Sequence, residues 1–125
     1  MPTTHADPLQ CLLPVVEIPP FGYAFSYRDG PVEEQGILVM TPGGPRAWKN
    51  QCRHLALPLD GDAPGRFFDR DQRHLVCTAH GACYRPDDGV CIAGPCRGSR
   101  LRALPLVIRA GVVCLDGAHL GGFFR

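Results

Sequence analysis

The apolar residues of this chain fall into short runs that stop at turn-forming residues. Three such runs cover residues 12–18, 21–27 and 35–41, and the turns after them are Pro19-Pro20, Asp29-Gly30-Pro31 and Pro42-Gly43-Gly44-Pro45. Short apolar runs bounded by Gly, Pro and Asp are typical of β-strands. We predict strands over these ranges and over 46–50, and no stretch keeps a helical period long enough to predict a helix.

The second half of the chain repeats this pattern. Apolar pairs flank a polar tip at 69–73, two short runs flank Pro86-Asp87-Asp88-Gly89, and a closing pair at 104–109 and 112–115 flanks Ala110-Gly111. Each arrangement predicts an antiparallel hairpin. The fold class is therefore expected to be all-β. The polar start of the chain, with Pro2 and Pro8, predicts a flexible tail over 1–12 and one domain over 13–125.

Charge and hydropathy exclude several classes of partner. The chain has 13 basic and 12 acidic residues, a formal net charge of +1, so neither nucleic acid nor an anionic membrane is indicated. The apolar run Cys11–Val16 is too short to span a bilayer and contains Pro14. No Lys or Arg precedes Arg28, so a secretory leader is not predicted and a cytoplasmic location is expected.

Two short motifs each place a thiol beside an imidazole. They are Cys52-Arg53-His54 and Cys77-Thr78-Ala79-His80, with 22 residues between them. Two thiols and two imidazoles on tight turns predict a metal site. Zinc sites commonly pair two Cys on one turn and two His on another, so mixed turns favour a dinuclear centre. A structural zinc site with the same four ligands remains the alternative.

These motifs resemble the Rieske iron–sulfur domain. Gly81 follows the second motif, and Gly94-Pro95-Cys96 resembles the proline-containing loop that covers the cluster in that family. The resemblance spans residues 13–116. It implies an antiparallel β-sandwich with a small inserted cluster-binding subdomain at about 51–97. It also implies one [2Fe–2S] cluster, with two Cys on one iron and two His on the other.

The ligands implied by this resemblance are Cys52, His54, Cys77 and His80. Two features depart from the family pattern: the interval between the motifs is long, and the two extra cysteines of respiratory-type domains are replaced by Leu57 and Ala79. Neither replacement offers a hydroxyl to the cluster. We therefore expect a potential at the low end of the Rieske range of roughly −150 to +300 mV.

No catalytic pattern accompanies the ligand motifs. The sequence has no dinucleotide glycine motif, no Ser-His-Asp pattern and no two-His-one-carboxylate iron triad, so an enzyme is not predicted. The resemblance implies a Rieske-type ferredoxin that carries one electron from a flavoprotein reductase to a terminal oxygenase or other oxidoreductase. The alternatives are a permanently bound iron–sulfur subunit, suggested by the apolar tail at 120–124, and a structural zinc module.

Five of the seven cysteines lie outside the motifs. Small buried hydrophobic side chains are the simplest interpretation. A labile Cys91–Cys96 disulfide, or a second metal on Cys83, Cys91 and Cys96, are alternatives. Trp48 and Tyr84 flank the ligand turns and are interpreted as core residues.

Overall fold

The structure is a computed structural model that describes residues 9–123, with side chains as far as Leu120. The described chain contains ten strands and two short 3₁₀ segments, joined by turns and loops. The strands are β1 Leu9–Pro14, β2 Tyr23–Asp29, β3 Val32–Thr41, β4 Gly44–Lys49, β5 Leu75–Val76, β6 Cys83–Tyr84, β7 Cys91–Ala93, β8 Ala103–Leu104, β9 Leu106–Arg109 and β10 Val112–Asp116; the 3₁₀ segments are Val15–Glu17 and Gly117–Phe123. In the part described, no helix is long and apolar enough to cross a membrane.

The strands form three antiparallel sheets. Their orders are β1-β10-β9, β2-β3-β4-β8 and β5-β6-β7. The first two sheets form the base of the molecule. The third lies, in sequence, between β4 and β8, although these two strands are neighbours in one sheet. The expected all-β fold with a small inserted subdomain is confirmed.

The central sheet has a different hydrophobic core on each face. Ile37, Val39 and Trp48 point into a core that they share with the inserted sheet. The alternate residues Leu38 and Ala47 point into the base core. Because successive side chains of a strand point to opposite faces, β3 and β4 supply both cores at once.

Tight turns set the register of the base. The β2–β3 hairpin pairs Asp29 with Val32, and Gly30 has a φ of 62°, a left-handed conformation that glycine adopts at no steric cost. In the next turn the Thr41 hydroxyl donates to the Gly44 carbonyl at 2.8 Å. Both turns fall where the sequence predicts them.

The N-terminal prediction is wrong in part. Strand β1 begins at Leu9, so the predicted tail over 1–12 includes four strand residues, and residues 1–8 lie outside the described chain. Pairing with β10 explains this, because Gln10 lies opposite Leu115 and Cys11 opposite Cys114. This pairing extends the strand to Leu9 and Gln10, ahead of the predicted start at residue 12. The strand ends at Pro14 rather than Ile18, and residues 15–17 turn as a 3₁₀ segment.

The C-terminal run also differs from the prediction. Residues 104–109 do not form one strand, because β8 pairs with β4 while β9 pairs with β10. Pro105 separates the two strands; it has no N–H to donate, and its carbonyl accepts from Asp116 N–H at 2.9 Å. Leu120 is 7% exposed and packs into the base core. Leu120, at the start of the apolar tail, thus packs against its own chain.

Candidate metal centre

Both ligand motifs lie on turns closed in the same way. The Cys52 N–H donates to the Leu57 carbonyl at 2.7 Å, and the Cys77 N–H donates to the Ala82 carbonyl at 2.8 Å. Each turn therefore begins at a cysteine and closes five residues later. In the second turn Gly81, with a φ of 76°, also donates to the Cys77 carbonyl at 2.9 Å.

Backbone amides surround each thiol. The N–H groups two and three residues after each cysteine donate to its sulfur: His54 and Leu55 to Cys52, and Ala79 and His80 to Cys77. Such donors stabilise a thiolate. Each turn thus directs two backbone N–H groups at its cysteine sulfur, where they would stabilise a negative charge.

The two thiols lie together below the surface. Cys52 is 3% and Cys77 0% exposed, and their side chains hydrogen-bond to one another. Burial raises the pKa of Cys52, but hydrogen bonds from the Tyr84 hydroxyl and the backbone outweigh burial, so the pKa lies below its ordinary value. Burial and the neighbouring Cys52 raise the pKa of Cys77. The hydrogen bonds therefore favour a negative charge at Cys52, whereas burial and the neighbouring Cys52 disfavour one at Cys77.

The two imidazoles form a second pair at the surface. The rings of His54 and His80 are 4.9 Å apart between centroids and nearly perpendicular, at 89°. Both residues are exposed. The four predicted ligands are therefore brought together as a buried sulfur pair and an exposed nitrogen pair.

Hydrogen bonds outside the turns fix their relative positions. Thr78 N–H and its hydroxyl both donate to the Leu59 carbonyl, at 2.9 and 3.0 Å. The Asn50 side chain accepts from Leu59 N–H at 2.8 Å and donates to Asp60 at 3.0 Å. Thr78 belongs to the second turn and Leu59 follows the first, so these contacts connect the two.

Sequence reasoning missed the role of Tyr84. Its hydroxyl lies 3.3 Å from Cys52 Sγ and accepts from Arg53 N–H at 2.9 Å. It also lies 3.1 Å from Cys96 Sγ. The residue is fully buried, and burial raises the pKa of its hydroxyl, so it stays protonated. Strand alternation was the available signal. Tyr84 follows Cys83 directly on β6, so the two side chains face opposite sides of the strand, and that of Tyr84 faces the buried side.

The other cysteines do not extend the metal site. Cys91 Sγ is 3.4 Å from Cys96 Sγ, and Cys114 Sγ is 3.4 Å from Cys11 Sγ. Cys83, Cys91 and Cys96 form no disulfide with one another. Within residues 9–123 no three His, Cys, Asp or Glu side chains converge on a single metal ion, so the second site considered for Cys83, Cys91 and Cys96 is not formed.

The donor set fits a dinuclear cluster. Two thiols converge in one place and two imidazoles in another, as expected when each iron takes two protein ligands. The buried pair is surrounded by N–H donors that offset the negative charge of thiolates and sulfides. An iron bound by the exposed pair would lie near the surface.

A model of the Rieske [2Fe-2S] domain matches residues 17–109, about three quarters of the chain. The chain belongs to this family. Its cofactor is accordingly a [2Fe–2S] cluster. No curated protein matches the chain significantly.

Solved structures show the same fold. The ferredoxin of Sphingomonas yanoikuyae B1 is 21% identical, with a TM-score of 0.62 over 86% of this chain and 97% of that one. A chain from a complex of reduced oxygenase and oxidised ferredoxin in carbazole 1,9a-dioxygenase is 15% identical, with a TM-score of 0.62 over 84% and 98%. The terminal oxygenase of carbazole 1,9a-dioxygenase from Novosphingobium sp. KA1 is 20% identical, with a TM-score of 0.62 over 84% of this chain but 28% of that one. The Rieske fold thus accounts for nearly the whole of these two smaller chains and about a quarter of the oxygenase.

Proposed function

We propose that this chain is a one-electron carrier of the Rieske ferredoxin type. Cys52 and Cys77 hold the inner iron of the cluster, and His54 and His80 hold the outer iron. The carrier accepts an electron from a flavoprotein reductase and passes it to a terminal oxygenase or another oxidoreductase. The main support is the pairing of two exposed imidazoles above two buried thiols.

Each pair of ligands has a distinct physical role in this proposal. The bound cluster supplies one-electron chemistry at potentials set by charge, hydrogen bonds to sulfur and exposure. The chain excludes water from the thiolates and donates backbone N–H groups to them. Neutral imidazoles add no charge to the outer iron and lie where a partner can approach without unfolding the turns.

The surface around the imidazoles suits brief contact with a partner. Leu55 and Leu57, in the first turn, are 47% and 41% exposed. Arg53 is exposed beside them. A small apolar patch with a basic neighbour favours a transient interface, under about 1,200 Å². A chain of this fold is found in the complex of oxygenase and ferredoxin of carbazole 1,9a-dioxygenase, which supports an oxygenase as the acceptor.

A single domain that includes strand β1 from Leu9 and a cytoplasmic location are parts of the same proposal. Cys91 and Cys96 form no disulfide although their sulfurs are 3.4 Å apart. Reducing compartments keep such thiols unpaired, which supports the location.

The cofactor assignment is tested by iron and sulfide analysis of the purified protein, with visible and electron paramagnetic resonance spectra. The expected content is about two irons and two acid-labile sulfides per chain. Cys52→Ser and His80→Ala should each lose the native spectrum. Cys83→Ser and His74→Ala, which change the same residue types outside the site, should keep it. Zinc without sulfide would contradict the proposal and support the structural zinc module.

The carrier role is tested separately. A flavoprotein ferredoxin reductase with NADH should bleach the oxidised cluster, and adding a Rieske oxygenase should restore its colour. The His74→Ala variant serves as control in the same assay. A protein that keeps its cluster but exchanges no electrons with either enzyme would refute the carrier role alone.

A further inference from the structure

Cys91 and Cys96 are held face to face by the loop between them. The Cys91 N–H donates to the Ser99 carbonyl at 2.8 Å, and Gly98 N–H donates back to the Cys91 carbonyl at 2.9 Å. Ser99 also binds the Cys96 carbonyl through its N–H at 3.0 Å and its hydroxyl at 2.6 Å. The sulfurs are 3.4 Å apart. A disulfide of about 2.05 Å therefore needs them to approach by only about 1.4 Å.

The two thiols differ in access. Cys91 is 1% exposed, and burial, followed by its hydrogen bond with Cys96, raises its pKa to about 11. Cys96 is partly exposed, between the exposed residues Pro95 and Arg97. A reagent in solution therefore reaches Cys96 first, and Cys91 is placed to resolve the product.

We propose that Cys91 and Cys96 form a reversible dithiol–disulfide site whose state the cluster senses through Tyr84. The oxidant is a low-molecular-weight disulfide, RSSR. The Cys96 thiolate attacks one sulfur of RSSR and expels RS⁻, and the Cys91 thiolate then attacks Cys96 Sγ and expels the second RS⁻. The two protein thiols lose two electrons and two protons, and RSSR becomes two RSH.

The Tyr84 hydroxyl connects this site to the cluster. It lies 3.1 Å from Cys96 Sγ and 3.3 Å from Cys52 Sγ. A phenol has one proton, and the hydroxyl already accepts from Arg53 N–H. The Cys96 thiol donates to Cys91 Sγ, and the Cys91 thiol donates to the Ala93 carbonyl. Cys96 therefore competes with Cys52 as acceptor for the single Tyr84 proton.

Disulfide formation ends this competition. The bond draws Cys96 Sγ toward Cys91 and leaves the Tyr84 proton to Cys52. A full hydrogen bond to a ligand thiolate stabilises the reduced, more negative cluster. The reduction equilibrium should rise by about threefold, an upward shift of about 30 mV for a one-electron couple. This coupling rests on the proposed ligand role of Cys52, whereas the thiol chemistry does not.

The test begins with holoprotein that shows the native cluster spectrum. After incubation with oxidised glutathione, alkylation and peptide mass spectrometry should find Cys91 linked to Cys96, reversed by dithiothreitol. Voltammetry of the same sample should show the upward shift. Free, alkylatable thiols at both positions after oxidation would overturn the proposal, whether or not the cluster carries electrons.

Three comparisons isolate the coupling. Cys91→Ser leaves Cys96 beside Tyr84 but cannot form the bond, so its potential should not respond to the oxidant. Tyr84→Phe should form the bond without the shift. Cys11 and Cys114 have the same 3.4 Å separation but belong to the β1–β10 pair of the base, so Cys11→Ser should keep the full response. A shift that persists in Tyr84→Phe, or a disulfide with no shift in the native protein, would overturn the coupling.

Discussion

Tyr84→Phe should lower the reduction potential of the cluster and the stability of the fold. The substitution removes one oxygen and keeps the ring, so it deletes a contact of 3.3 Å to Cys52 Sγ. A hydrogen bond to a charged acceptor contributes about 1.5–3 kcal/mol, against about 1 for a neutral one. The oxidised and reduced clusters differ by one electron, which is shared over several atoms. We therefore take about 1 kcal/mol as the extra stabilisation that the Tyr84 hydrogen bond gives the reduced cluster over the oxidised one.

That difference converts directly to a potential. About 1.4 kcal/mol is a tenfold change in an equilibrium constant, and tenfold is about 59 mV for one electron. The expected fall is therefore about 40 mV. The lost hydroxyl also removes the hydrogen bond from Arg53 N–H, which should cost about 0.5–1.5 kcal/mol of unfolding free energy.

Protein-film voltammetry and thermal unfolding of the holoprotein check the two effects. Tyr27→Phe is the matched control, since Tyr27 is 4% exposed but belongs to the base core, away from the ligand turns. A Tyr84→Phe potential within a few millivolts of the native value would refute the reasoning, as would an equal fall in Tyr27→Phe.

Three further outcomes follow from individual residues. Gly89→Ala should lower the melting temperature while Gly111→Ala does so less, because a Cβ at Gly89 would lie 2.8 Å from the Trp48 ring whereas one at Gly111 meets nothing, and φ is near 75° at both. Asp69→Asn should destabilise the hairpin tip by about 1 kcal/mol or less; burial alone would raise the pKa of Asp69, but hydrogen bonds from Arg73 and His74 lower it. The Asp69 contribution is therefore present above the ordinary carboxyl pKa and disappears as pH falls through the lowered one, so unfolding curves of the two proteins should converge in acid. Cys83→Ala should keep the native visible spectrum, and a loss of iron would make Cys83 a ligand.

The sequence predicts the ligand turns well because their determinants are local. The spacing within each motif and Gly81 specify a turn without reference to the rest of the chain. The role of Tyr84 was not predicted because it depends on where the two turns meet. Leu57 and Ala79 offer no hydroxyl to the cluster. That observation alone underestimates the number of hydrogen-bond donors, because Tyr84 supplies a hydroxyl from the inserted sheet. The expectation of a potential at the low end of the range therefore loses part of its basis.

The strand boundaries show the same contrast between features set by local residues and features set by distant parts of the chain. The β2–β3 and β3–β4 hairpins follow from Gly and Pro at their turns, which act within a few residues. Strand β1 starts at Leu9, earlier than predicted, where it pairs with β10, and β8 separates from β9 because it pairs with β4. Both depend on a strand distant in sequence, and a hydrophobic pattern contains no information on pairing partners.

Because the central sheet has a separate core on each face, we expect the molecule to unfold as two cooperative units. Ile37, Val39 and Trp48 belong to the cluster side, whereas Leu38 and Ala47 belong to the base. Loss of the cofactor should remove support from the first core and leave the second in place. Amide exchange in the apoprotein should therefore accelerate from Cys52 to Leu101 while β10 stays protected. A newly synthesised chain could therefore fold its base before the cluster is assembled in the inserted subdomain.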